Sequence, residues 1–183
     1  MLRTEATYGS NPSRVTRRFA SWFWPMATGL LAIAVSLSPV NFDGSLMLTP
    51  HWLLAVLLFW TARRPASTPP MLVFGLTALH DLVSAGPIGL EMFAALICVE
   101  ALRSVAAYRP HRSFAIEWAR IAVILILFEL IVRAMLTVTL AGAPDLSQTA
   151  LRYGATVAVY PLVVLFLRGG FGMGRAADRW ISL

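Results

Sequence analysis

The chain has 183 residues, 58% of them hydrophobic and 13% charged, and its mean hydropathy is +0.71. Soluble domains average about 45–50% apolar and about 25% charged residues, so a water-exposed globular surface is excluded and the bilayer is the expected solvent. The net charge of +6 comes entirely from arginine, and the arginines punctuate apolar runs instead of forming one basic stripe, which argues against a nucleic-acid partner.

Residues 1–18 are polar and include Gly9, Pro12, Arg14, Arg17 and Arg18; they read as a flexible basic cytoplasmic arm. The apolar run Phe19–Val40 is long for a signal-peptide core and lacks a small-residue cleavage pattern, so it reads as a retained first transmembrane helix. Five further apolar segments follow near 46–62, 70–84, 88–107, 115–140 and 149–168. Together they define a six-helix transmembrane domain over 19–168. Pro50 lies near the start of the second segment, where a missing N–H is tolerated. The third segment is short for a full span. The tail, 169–183, opens on "GGFGMG", which no Gly-Lys-Ser/Thr follows, so it is not a phosphate loop. Its end, with Arg175, Arg179 and Trp180, suits the anionic leaflet.

Arginine placement orients these segments, because cytoplasmic loops are enriched in basic residues. Arg3, Arg14, Arg17 and Arg18 precede the first helix, and the 41–50 loop has Asp43 and no arginine. Arg63 and Arg64 open the next connection, and the 85–88 turn has none. Arg109 and Arg112 mark the fourth, the 141–148 loop carries Asp145 alone, and Arg168, Arg175 and Arg179 close the chain. The alternation is unbroken and predicts an all-α membrane protein with six transmembrane helices and both termini cytoplasmic. All connections are short, so function resides in helices, turns or tails.

Catalytic sets are hard to assemble. His51, His80 and His111 stand near three different helix ends without grouped ligand spacing, so no metal site is expected. The lone cysteine, Cys98, excludes an intrachain disulfide and lacks a suitably spaced base. Asp81 has no second intramembrane aspartate of the kind an aspartyl protease requires. The expectation is a protein without enzymatic activity or cofactor. On the fifth helix, Glu129 and Arg133 lie one turn apart. An isolated charge at mid-membrane costs about 2.5–3.5 kcal/mol, so the two are expected to neutralise each other and to serve as an internal strut, a contact to a partner's helix, or an ion or substrate relay. Glu91, just after the turn "SAGPIG", is a further candidate contact to a partner's helix; it is also placed to approach Asp81, although two carboxylates would repel unless one is protonated or an arginine intervenes. Asp81 itself, beside that turn, is placed to accept backbone N–H groups from the next helix start.

The ordered set Pro50, Trp52, Trp60, Pro65, Asp81, Leu82, Ser84 and Gly89, with Pro161 in the last helix, resembles the bacterial rod shape-determining protein MreD family. The resemblance covers roughly 45–168. Two positions depart from the family pattern: Ala85 follows Ser84 where glycine is common, and Thr77 stands a turn before Asp81 where glycine is also usual. The resemblance implies a non-enzymatic inner-membrane scaffold of the cell-elongation complex, which organises lateral peptidoglycan synthesis. The implied partners are MreC, MreB, RodA and the transpeptidase partner of RodA. It also implies a fold similar to the substrate-binding subunits of energy-coupling-factor vitamin transporters. A substrate-binding subunit of a small-molecule uptake transporter is therefore the alternative function.

Overall fold

The computed structural model describes residues 12–37, 50–84, 89–108, 113–139 and 145–171. Six helices follow one another: α1 (Pro12–Leu37), α2 (Trp52–Arg63), α3 (Pro70–Val83), α4 (Leu90–Tyr108), α5 (Phe114–Val138) and α6 (Leu146–Phe171), with a short 3₁₀ turn, Pro65–Ser67, between α2 and α3. No strand occurs among the described residues. Each helix falls on one of the six apolar runs. Several boundaries differ from expectation; α2, for one, begins only at Trp52. The backbone from Pro12 to Arg18, read as part of a flexible arm, already belongs to α1, and α6 runs past Arg168 to Phe171. Expectations resting on Arg3, Gly9, Asp43, the 85–88 turn, Arg109, His111, Arg112, Arg175, Arg179 and Trp180 lie outside the described residues.

The core forms around α2. Every residue from Leu53 to Ala62 is buried, as befits a helix apolar on all sides. Helices α1, α4 and α6 pack against it, α3 lies between α1 and α4, and α5 lies between α4 and α6. Phe59, Trp60, Val73, Cys98, Ile121, Leu125, Phe128 and Tyr160 fill the interior. Trp60 needs a partner for its indole N–H and donates to the Thr28 hydroxyl of α1 at 3.0 Å. Gly29, the next residue, sits where a Cβ would fall 2.6 Å from the end of Leu76, so its lack of a side chain lets α1 approach α3.

Prolines set the turning points. Arg64 precedes Pro65, which disfavours the helical region for it; Arg64 takes φ −140° and ψ 71°, and α2 stops there. Pro70 then opens α3 at a position whose N–H has no helical partner in any case. The connection between them is tied down twice. Thr61 and Thr68 share a hydroxyl–hydroxyl bond of 3.1 Å, and the Arg103 guanidinium of α4 donates to the Thr68 carbonyl.

The bundle's outer surface is apolar. Met71, Leu82, Val123, Leu130, Leu162, Leu165 and Phe166 are all exposed. Two segments, Phe114–Val138 with 25 residues and Leu146–Gly169 with 24, are long and apolar enough to cross a membrane.

Candidate functional site

Several polar side chains make contacts between helices. At one end of the bundle, α3 turns into α4. Helix α3 terminates where Ser84 donates its N–H to the His80 carbonyl at 2.9 Å. Asp81, only 4% exposed, turns its carboxylate toward the start of α4. Its Oδ2 accepts the Gly89 N–H at 2.9 Å and the Met92 N–H at 3.2 Å. These are the contacts an Asx-type cap requires, made across the turn instead of within one helix. Gly89 has φ +91°, a region that L side chains rarely adopt, so glycine is needed there. Glu91, in the first turn of α4, places Oε2 3.5 Å from Nδ1 of His80. Ligand atoms of His80, Asp81 and Glu91 all lie within 4.8 Å of one another. The histidine spacing along the chain gave no sign of this group, because its third member comes from the next helix.

Two side-chain contacts pin opposite ends of α2 onto α5. At the α3–α4 turn end, His51 places Nε2 3.3 Å from Glu129 Oε1. The His51 ring packs edge-on against Phe128 at 5.0 Å, and its backbone N–H donates to the Thr156 hydroxyl of α6 at 3.0 Å. At the other end, Arg63 donates to both oxygens of Glu117, at 3.1 and 2.8 Å. Tyr160 of α6 donates its hydroxyl to the same carboxylate at 2.8 Å. Glu117 and Tyr160 are buried, and the Arg63 guanidinium lies 5.1 Å over the Phe59 ring. The Arg63–Glu117–Tyr160 cluster was not foreseen in the sequence. Arg63 served there only as a topology marker, and nothing local connects three residues on three helices.

Glu129 was expected to serve as a mid-membrane strut with Arg133. The structure places its carboxylate beside His51, the residue that precedes α2. Arg133 lies one turn further along α5 and is half-buried. Of the other residues singled out, Pro50 and Trp52 form the entry to α2, where the Trp52 N–H meets the Pro50 carbonyl at 2.9 Å. Trp60 is the inward anchor near the end of α2, Pro65 opens the 3₁₀ turn, Ser84 closes α3, and Leu82 faces outward. Pro161 lies inside α6. Lacking an N–H, it leaves the Val157 carbonyl without its helical donor. Trp118 of α5 supplies the replacement, donating Nε1–H to Val157 O at 3.1 Å. Cys98 is buried, its thiol 3.7 Å from the Ile124 carbonyl.

Chemically, these groups fasten helix to helix and turn to helix. Residues 16–169 match the family model described as rod shape-determining protein MreD. No curated protein and no solved structure matches.

Proposed function

The chain belongs to the rod shape-determining MreD family, whose role is in determining rod cell shape, and from that membership we propose that it is a multi-pass scaffold of the bacterial inner membrane. In this reading all six helices reside in the bilayer with both termini cytoplasmic. The basic arm and tail, 1–18 and 169–183, flank the transmembrane domain. The observation that carries the reading is the family match across 16–169. Two physical features support it. The outward faces of α3, α5 and α6 present large apolar side chains, a surface suited to lipid and to a partner's transmembrane helix. The arginine alternation orients the loops, with Arg63 and Arg64 on the cytoplasmic side.

Helices α2 and α3 are about 18 and 21 Å long, shorter than the ~30 Å hydrocarbon core. Both are enclosed or flanked by longer helices, which lets short segments reside at membrane depth.

The partner in this proposal is MreC, whose single span packs on the outer apolar surface, with MreB, RodA and its transpeptidase partner in the wider elongation complex. The scaffold carries no catalytic step of its own; it positions the peptidoglycan-synthesising partners. Copurification from native membranes tests it, with MreC expected to come down with the tagged chain. Failure of a folded, inserted chain to retain MreC overturns the proposal. The double variant Glu129→Leu with Arg133→Leu separates internal from external roles. Because Glu129 already faces His51, the expected result is lower thermal stability with copurification retained. Loss of copurification at unchanged stability would reassign the pair to the partner contact.

A further inference from the structure

We propose that His80, Asp81 and Glu91 form a divalent transition-metal site, of the zinc type, that clamps the α3–α4 turn. One ligand atom from each residue lies within 4.8 Å of the other two. The donor set is one imidazole nitrogen and two carboxylate oxygens. Imidazole suits zinc and its first-row neighbours, whereas magnesium and calcium select oxygen donors alone.

The His80–Glu91 separation suits one edge of a coordination shell, and the Asp81 carboxylate needs only a small side-chain adjustment to close the set. His80 Nδ1 and Glu91 Oε2 are 3.5 Å apart, beyond the usual N–H···O range of about 2.7–3.2 Å. A tetrahedral ion with bonds of about 2.0–2.2 Å has ligand–ligand edges of about 3.3–3.6 Å, so this pair already spans one edge. Asp81 uses Oδ2 for the two backbone N–H groups of Gly89 and Met92. Its Oδ1 makes no hydrogen bond among the described residues and can serve as the ligand.

Charge balance points the same way. Two carboxylates and one imidazole are held together where α3 meets α4, with Asp81 buried and the other two partly so. Like charges placed so close repel in a low-dielectric setting. A bound dication removes that repulsion and replaces it with two attractions. His80 and Glu91 remain partly solvent-accessible, which provides an entry path, and water completes the fourth position. Bound there, the ion ties the last turn of α3 to the first turn of α4 and fixes the geometry that Asp81 sets by capping.

The test uses full-length protein in detergent, purified on a tag without histidines and stripped with chelator. Zinc titration is expected to give one ion per chain and a rise in Tm. Cobalt(II) is expected to give the intense visible absorption of a low-coordinate site. His80→Ala and Glu91→Gln are each expected to weaken zinc binding about tenfold or more, a loss at least as large as that caused by disturbing groups that merely support a ligand. His51→Ala leaves zinc binding unchanged. Should His80→Ala fail to fold, His80→Cys provides the second readout, since a thiolate ligand adds a charge-transfer band to the cobalt spectrum. Absence of stoichiometric zinc in the folded wild-type protein overturns the site. So does undiminished binding in His80→Ala, or a cobalt spectrum that His80→Cys leaves unaltered.

Discussion

Trp118 donates its indole N–H to the Val157 carbonyl at 3.1 Å, and Val157 stands four residues before Pro161, the position whose missing N–H leaves that carbonyl without a helical partner. A proline inside α6 is thus compensated by a side chain of the neighbouring helix. The relationship makes the two residues energetically dependent on each other. Trp118→Phe in the wild-type background is expected to cost about 1 kcal/mol or more, the worth of a hydrogen bond whose loss leaves a carbonyl unsatisfied. In a Pro161→Ala background the restored helical N–H satisfies Val157, and the same substitution costs less. A double-mutant cycle of thermal stability in detergent measures the coupling; additive effects would show that the carbonyl does not depend on Trp118.

Breaking the Arg63–Glu117 pair is expected to be more damaging than trimming its edge. Glu117→Ala leaves the partly buried Arg63 guanidinium and the buried Tyr160 hydroxyl without their shared acceptor. Removing one partner of a buried pair costs about 3–5 kcal/mol, reduced here because the Arg63 side chain is 22% exposed. Tyr160→Phe removes one hydrogen bond and should cost about 1.5–3 kcal/mol, as for a bond to a charged group. Thermal melts of the two variants side by side check the order, and the reverse order would contradict the account of Glu117 as the shared acceptor.

At the turn, capping needs an acceptor oxygen, not a charge. Asp81→Asn retains an oxygen for the Gly89 and Met92 N–H groups and should be mild when apo protein is compared with apo protein. Asp81→Leu removes the acceptor and should lower stability by about 0.5–2 kcal/mol, the range for loss of a cap, or more given its burial. Chelator-treated samples isolate this effect from metal binding. Equal losses in both variants would mean that the charge itself matters to the fold.

Glycines divide by backbone angle. Gly89→Ala forces a side chain into φ +91° and is expected to cost about 1–2 kcal/mol. Gly154→Ala meets no atom within 4 Å and, as a mid-helix replacement, should be neutral or stabilising by up to about 1 kcal/mol. Paired melts decide the matter; a harmless Gly89→Ala would indicate that the turn relaxes freely.

The six helices were legible because each apolar run is long and bounded by arginines, prolines or turn residues. Asp81's capping contacts were legible too, since its partners follow within a dozen residues and the turn chemistry is local. The interhelical ties were not. Arg63, Glu117 and Tyr160 are separated by 54 and 43 residues, and no periodicity on one helix reports which face meets another. Glu129 has a contact that spacing did not reveal. Spacing along α5 pointed to Arg133, and packing from a different helix brings His51 to within 3.3 Å as well. Trp118 was likewise invisible, although Pro161 itself signalled that some carbonyl near Val157 would need a donor. The extent of α2, twelve residues, was also unforeseen, because an apolar run does not reveal where its helix begins.

Copurification of MreC with the full-length chain from its own membranes tests the scaffold reading most directly, using folded protein confirmed by a cooperative thermal transition. The account predicts that MreC is retained in near-stoichiometric amount and that retention survives the Glu129→Leu, Arg133→Leu double variant. An inserted, cooperatively melting protein that recovers no MreC, and whose Tm rises sharply with a single small vitamin instead, would contradict it.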